Sequence, residues 1–296
     1  MKRILIPFLI LTILLSGCAA PGDYASIAAT TLPVYEFTAR LCEGTDLTVT
    51  RLVTESVSCL HDYSLNVSQV RSAEAAELII INGAGLEEFM EDILEGKNTI
   101  DASSGIEILE FEEGHDHEEV DHGHDHEGHH HEVDSHIWLS PANAMAMAQN
   151  ICGGLAAEYP EFEDVFRSNL EGLLADLEAL QAYGEAQLAD LSCRELITFH
   201  DGFSYFADCF DLRIVKAVEE ESGAEASAAE LKELIGIVRE HKLPAIFTET
   251  NGSVSAAGVI ARETGAAVHT LDMAMSGDSW FDAMYRNIDT IKEALG

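Results

Sequence analysis

Basic residues are scarce in this chain of 296. Lys and Arg number 16 against 53 Asp and Glu, a formal net charge of −37. A surface of that sign repels phosphate backbones, so nucleic acid is not expected as a partner, whereas cations are attracted. CxxC spacing is absent, which leaves a thiolate metal site without support. The apolar stretch at residues 4–15 falls short of the roughly 20 residues that a comfortable membrane span needs. Asn82-Gly83-Ala84-Gly85 lacks the third glycine of a GxGxxG fingerprint, so it reads as a tight βα turn and not as a dinucleotide site. No internal sequence repeat is evident.

The N-terminus carries a processing signal. Lys2 and Arg3 precede the apolar stretch, which ends in Leu15-Ser16-Gly17-Cys18. That tetrad resembles a bacterial lipobox. The resemblance implies a signal peptide over residues 1–17, lipidation of Cys18, and an extracytoplasmic protein anchored to the membrane through acyl chains. Five cysteines remain, Cys42, Cys59, Cys152, Cys193 and Cys209. An exported compartment permits disulfides, but an odd number leaves at least one unpaired within the chain. Cys193 and Cys209 flank one short strand-turn-helix unit and could pair; buried thiols are the alternative.

Strands alternate with helices along the rest of the chain, which predicts α/β architecture with parallel sheets. Strands are expected at 25–31, 46–53, 78–81 and 106–111, and helices from Pro33, at 68–76, and from near Leu86. Ser140-Pro141 form an N-cap and N1 pair opening another helix. Residues 161–191 place Phe166, Leu170, Leu173, Leu174, Leu177 and Leu180 at steps of three and four, one apolar helix face. A coiled-coil dimer is the rival explanation; a spine between two lobes is preferred. The expected organisation is an N-terminal lobe over 24–160, a linking helix over 161–191 and a C-terminal lobe over 192–296. In the second lobe, strands end at His200, at Glu249 and just before Asp272. Ligands of open parallel sheets sit beyond such carboxyl ends.

The run GHDHEEVDHGHDHEGHHHEVDSHIWLSP, residues 114–140, holds eight of the thirteen histidines before His136: His115, His117, His122, His124, His126, His129, His130 and His131. It contains a literal HExxH match beginning at His126. That motif works only on a helix that puts both imidazoles on one face, and this acidic segment has Gly128 inside it and no apolar face to pack. A solvated loop over 112–135 is expected, binding metal weakly and exchangeably or not at all. Of the remaining histidines, His241 reads as a surface residue and His269 as a core one. His61, His136 and His200 each follow or end a strand or loop.

Four ordered segments then carry a resemblance. TTLPVYEFTARLCEG (30–44), DSHIWLSP (134–141), TFHDGFSYFADCF (198–210) and ARETGAAVHTLDM (261–273) are similar to motifs of the ZnuA-like zinc and manganese solute-binding proteins of bacterial ABC importers. The resemblance covers essentially the whole mature chain. It implies two βα lobes joined by a long rigid helix, with a metal site in the cleft between them. It implies His136, His200 and His61 as ligands, one or more from each lobe, and Asp272 as the carboxylate that completes or closes the site in some members. Glu249 would support the ligands from outside. Around His61 the chain departs from the pattern: Cys59-Leu60-His61-Asp62-Tyr63-Ser64-Leu65 lacks the family's prolines.

Manganese-handling relatives place Glu where this chain has His200, and imidazole suits zinc better than manganese. Zn²⁺ is therefore the expected cargo, with Mn²⁺ less favoured. The resemblance implies delivery to an ABC permease by a monomeric, non-enzymatic binding protein. A secreted zinc hydrolase using Glu249 as base, or a surface adhesin with a structural metal, are the alternatives.

Overall fold

The computed structural model describes residues 25–57, 60, 63–110, 133–219, 227–250 and 254–296. Cys18, Cys59, His61 and the eight histidines of the 114–140 run before His136 lie outside these.

Two four-stranded parallel sheets organise the described chain. The first contains β1 (Ile27–Ala29), β2 (Val49–Arg51), β3 (Leu78–Ile81) and β4 (Thr99–Asp101) in the order β2-β1-β3-β4. The second contains β5 (Glu195–His200), β6 (Arg213–Glu219), β7 (Ala245–Glu249) and β8 (Ala267–Leu271) in the order β6-β5-β7-β8. Each lobe thus repeats one topology: its first strand lies between its second and third. The order reverses at β1 in one lobe and at β5 in the other, and a crevice opens beyond the carboxyl end at such a point. His200 is the last residue of β5.

Helices follow the strands, and their starts are written in the sequence. In α1 (Leu32–Leu41), Pro33 occupies the first turn, where its missing N–H costs nothing. Asn66 and Gln69 form a reciprocal capping box at α2 (Val67–Ala75), ahead of the short α3 (Glu91–Leu94). Ser140 caps α4 (Pro141–Glu158) by accepting from the Asn143 N–H. The linking helix is α5 (Glu163–Gln187), 25 residues and so about 37 Å long. In the second lobe, α6 (Ser204–Cys209) follows β5, α7 (Ala228–His241) follows β6, and α8 (Val254–Thr264) follows β7. The chain closes with α9 (Trp280–Leu295).

Phe166, Leu173, Leu177 and Leu180 of α5 are fully buried, with Leu170 and Leu174 packed alongside. The helix lies against α1 and α4 of the first lobe and α9 of the second. Its apolar stripe is therefore consumed inside the chain, which removes the reason for a coiled-coil partner. One hydrophobic cluster runs from Ile27 in β1 to Leu295 in α9, so the lobes share a core. At about 25 cal/mol per Å² of apolar surface, such a shared core resists any large separation of the lobes.

The structure departs from the sequence pattern in the strands and decides between the cysteine alternatives. Residues 106–110 form no strand: Ile106, Ile108 and Leu109 pack on the core, and Glu110 makes only an isolated antiparallel bridge to Val133. The fourth strand is instead Thr99–Asp101, an edge strand too short and polar to announce itself by hydrophobic pattern. Strand β6 also went unread, although it is seven residues long. Cys193 and Cys209 do not pair; Cys42, Cys152, Cys193 and Cys209 are all free thiols.

Candidate metal centre

Two buried imidazoles, one from each lobe, meet between the sheets. His136 is 2% exposed and precedes a single helical turn (Ile137–Leu139) that leads into α4; His200, also 2% exposed, ends β5. Their Nε2 atoms stand 3.2 Å apart, with the rings nearly perpendicular at 84°. A tetrahedral Zn²⁺ with Zn–N bonds of about 2.0–2.1 Å holds its nitrogens about 3.3 Å from each other. The spacing of this pair is thus that of one edge of a zinc tetrahedron.

Asp134 decides which nitrogen His136 offers. One carboxylate oxygen accepts both the His136 backbone N–H at 2.9 Å and its Nδ1–H at 2.8 Å. Asp134 is itself 1% exposed, so water does not compete for that bond. With Nδ1 bearing the proton, Nε2 presents a lone pair toward His200, the arrangement by which a carboxylate orients and strengthens an imidazole ligand. The aspartate is the first letter of DSHIW, two residues before His136. Its role went unread in the sequence, although its place in the motif was plain.

Backbone from the second lobe closes the site. Gly202 sits so near that a Cβ there would lie 2.9 Å from His200 Cδ2, 3.0 Å from His136 Cε1 and 2.7 Å from Met273 Cε. Glycine at this position lets the chain pass beside both rings. Trp138, fully buried and with its ring centroid 5.2 Å from that of His136, donates its indole N–H to the Met273 carbonyl at 2.7 Å.

Asp272 is tied into the corner between β8 and α9. One oxygen accepts the Ala274 N–H at 2.8 Å and the other pairs with Arg286 at 3.1 Å. Its backbone N–H and C=O are both bonded to the Asn287 side chain, at 2.8 and 2.7 Å. These contacts fix the corner between β8 and α9. Glu249 is buried at the carboxyl end of β7. His241 pairs with Glu195 on the surface, and His269 lies within β8. His61 falls outside the described residues, between Leu60, which is buried, and Tyr63, whose N–H donates to the Leu60 carbonyl at 3.0 Å. Among the described residues no group of three or more His, Cys, Asp or Glu has metal-holding geometry.

Two parallel-sheet lobes on a rigid helix, with an imidazole from each lobe meeting between them, define a two-lobed solute-binding protein. Comparison with known proteins gives the family. The chain belongs to the ZnuA family, "zinc-uptake complex component A periplasmic", whose model matches residues 27–294. It is 30% identical over 286 residues to the zinc-binding lipoprotein AdcA of Streptococcus pneumoniae, covering 90% of this chain and 55% of that protein. The chain thus spans about half the length of that relative. It is 28% identical over 287 residues to the high-affinity zinc uptake system protein ZnuA of Bacillus subtilis, covering 93% and 88% of the two chains. A crystal structure of ZnuA superposes with a TM-score of 0.78 at 30% identity, covering 92% of this chain and all (100%) of that one. The Zn(II)-bound ZnuA-like domain of S. pneumoniae AdcA gives 0.75 at 25% identity, covering 92% and 99%.

Proposed function

We propose that this protein binds one Zn²⁺ between its lobes and delivers it to the permease of an ABC importer. The observation that carries this reading is the buried Nε2–Nε2 separation of 3.2 Å between His136 and His200. Two neutral nitrogen donors at a tetrahedral edge suit Zn²⁺, whereas Mn²⁺ favours carboxylate and water. The relatives AdcA, a zinc-binding lipoprotein, and ZnuA, a high-affinity zinc uptake protein, point to the same cargo. His61 supplies the third imidazole in this reading. Asp272 or a water completes the tetrahedron; with one oxygen on the Ala274 N–H and the other on Arg286, each Asp272 oxygen keeps a lone pair for the metal. Glu249 acts outside the coordination sphere.

The shared core and α5 restrict the lobes to small relative movements. Ligands on both lobes convert metal occupancy into such a movement, and the permease reads it. Lipidation at Cys18 holds the monomer on the outer face of the membrane; no helix among the described residues is long and apolar enough to cross it. The eight histidines of the 114–140 run before His136 bind zinc weakly and exchangeably without forming the transport site. Transport requires no chemical step, so no residue is assigned a catalytic role.

Growth under zinc limitation tests the reading. Cells lacking this gene should recover with the intact chain and fail to recover with His136→Ala or His200→Ala. Recovery by both variants would remove the cleft from zinc uptake.

A further inference from the structure

Tyr205 connects the lobes in a way that the metal ligands do not explain. It stands in α6 of the second lobe, five residues beyond His200, and is 5% exposed. Its hydroxyl donates to the Asp134 carbonyl at 3.0 Å and accepts the Leu109 N–H at 2.8 Å. Both partners belong to the first lobe. The Asp134 N–H meanwhile donates to the Leu109 carbonyl at 2.9 Å. In a hydrogen-bonded antiparallel pair two residues exchange both backbone bonds directly. Leu109 and Asp134 make one of these bonds themselves, and the other is relayed through a phenol from the opposite lobe.

We infer that Tyr205 is a positioning residue for metal binding, a latch that fastens the Asp134–His136 turn of one lobe to the His200 element of the other. The inference rests on the metal-binding reading of His136 and His200. Asp134 orients His136 through its side chain and is gripped by Tyr205 through its carbonyl. A shift of α6 therefore moves the aspartate that sets the His136 ring. The latch also releases cheaply. When the hydroxyl withdraws, Leu109 N–H and Asp134 C=O can bond each other directly, so no buried backbone group is left bare. Burial pushes the Tyr205 hydroxyl up to about 12, so it remains a donor throughout the physiological range.

Tyr205→Phe keeps the ring and removes both relayed bonds. Zinc release into excess chelator is compared for the intact chain, Tyr205→Phe, His200→Ala and a packing control, Phe206→Leu. The d–d absorption of the Co²⁺-loaded proteins is recorded alongside. The latch predicts that Tyr205→Phe releases zinc about tenfold faster, on the scale of outer-sphere substitutions, with an altered Co²⁺ spectrum and a denaturation midpoint no lower than that of Phe206→Leu. Phe206→Leu should retain the intact spectrum and release rate. A Tyr205→Phe protein with unchanged release and spectrum overturns the latch while leaving the cleft reading in place. If His200→Ala also retains tight zinc, the cleft reading itself falls, and the latch with it. Equal acceleration by Phe206→Leu reduces Tyr205 to a packing residue and likewise overturns the inference.

Discussion

Trp138 and Met273 belong to different lobes, and the indole N–H of the first donates to the backbone carbonyl of the second at 2.7 Å. Both residues are buried. Around this bond the β8–α9 corner leans on the first lobe at further points. Arg51 donates to the Gly277 carbonyl at 2.8 Å, and Glu36 of α1 accepts the Trp280 N–H at the start of α9. Trp280 in turn packs edge-on against Phe37, centroids 5.1 Å apart. Trp138→Phe leaves the Met273 carbonyl buried without its donor. The expected cost is about 1–3 kcal/mol, measured by urea denaturation of the metal-free protein.

Asp134→Ala should weaken zinc binding without unfolding the lobes. Removing the acceptor frees His136 to rotate and to take either tautomer, and loss of such a partner typically costs about 10–100-fold in metal affinity. Chelator competition measures it. Affinity within a factor of about two of the intact chain would mean that the Asp134–His136 bond does not set the site.

Gly202→Val tests how closely the backbone must pass the rings. Even a Cβ would lie about 3 Å from both imidazoles, and a flexible Met273 methyl is the only neighbour able to yield easily. Zinc affinity should fall about tenfold or more, the equivalent of about 1.4 kcal/mol of displaced ligand geometry. Competition titration beside a thermal melt separates this from general destabilisation.

Glu87 gives the pH dependence. It is buried beneath the Asn82–Gly83 turn, accepting from Thr30 Oγ1 at 2.7 Å, Asn82 N–H at 2.7 Å and Gly83 N–H at 3.0 Å. Burial raises its carboxyl from the usual 4.5 to about 7, against the pull of those donors. Between those values the native state holds a proton that the unfolded chain releases. The contribution is full below about pH 4.5 and is lost as pH rises through about 7, roughly 3 kcal/mol in all. Glu87→Gln cannot titrate, so its urea midpoints at about pH 5 and about pH 8 should differ less than those of the intact chain.

Much of this was legible in the sequence because it obeys local rules. Pro33, the Ser140-Pro141 pair and the 3.6-residue stripe of α5 each specify a helix through backbone chemistry or burial. His200 at the end of an apolar strand was visible for the same reason. Strand β4 was not, since Thr99–Asp101 is an edge whose pairing with Ile79–Ile81 is decided by tertiary contact and not by hydrophobic period. Ile106 and Ile108 misled for the converse reason: they are apolar and alternating, yet they pack without a ladder. The site divided likewise. Motif position marked His136 and His200 as candidates, and the fold brings their Nε2 atoms to 3.2 Å, whereas the contact of Asp272 with Arg286, 14 residues on, is one that only the fold creates. No one-dimensional pattern marks Tyr205 as a bridge between Leu109 and Asp134, 96 and 71 residues distant.

The most direct test of the central claim is calorimetric zinc titration against a competing chelator. It compares the intact chain, a version lacking residues 112–132, and His200→Ala. The account predicts one tight site in the first two and its loss in His200→Ala. Tight binding that disappears with residues 112–132 and survives His200→Ala would contradict it, moving the zinc site out of the cleft and the function from transport to storage or sensing.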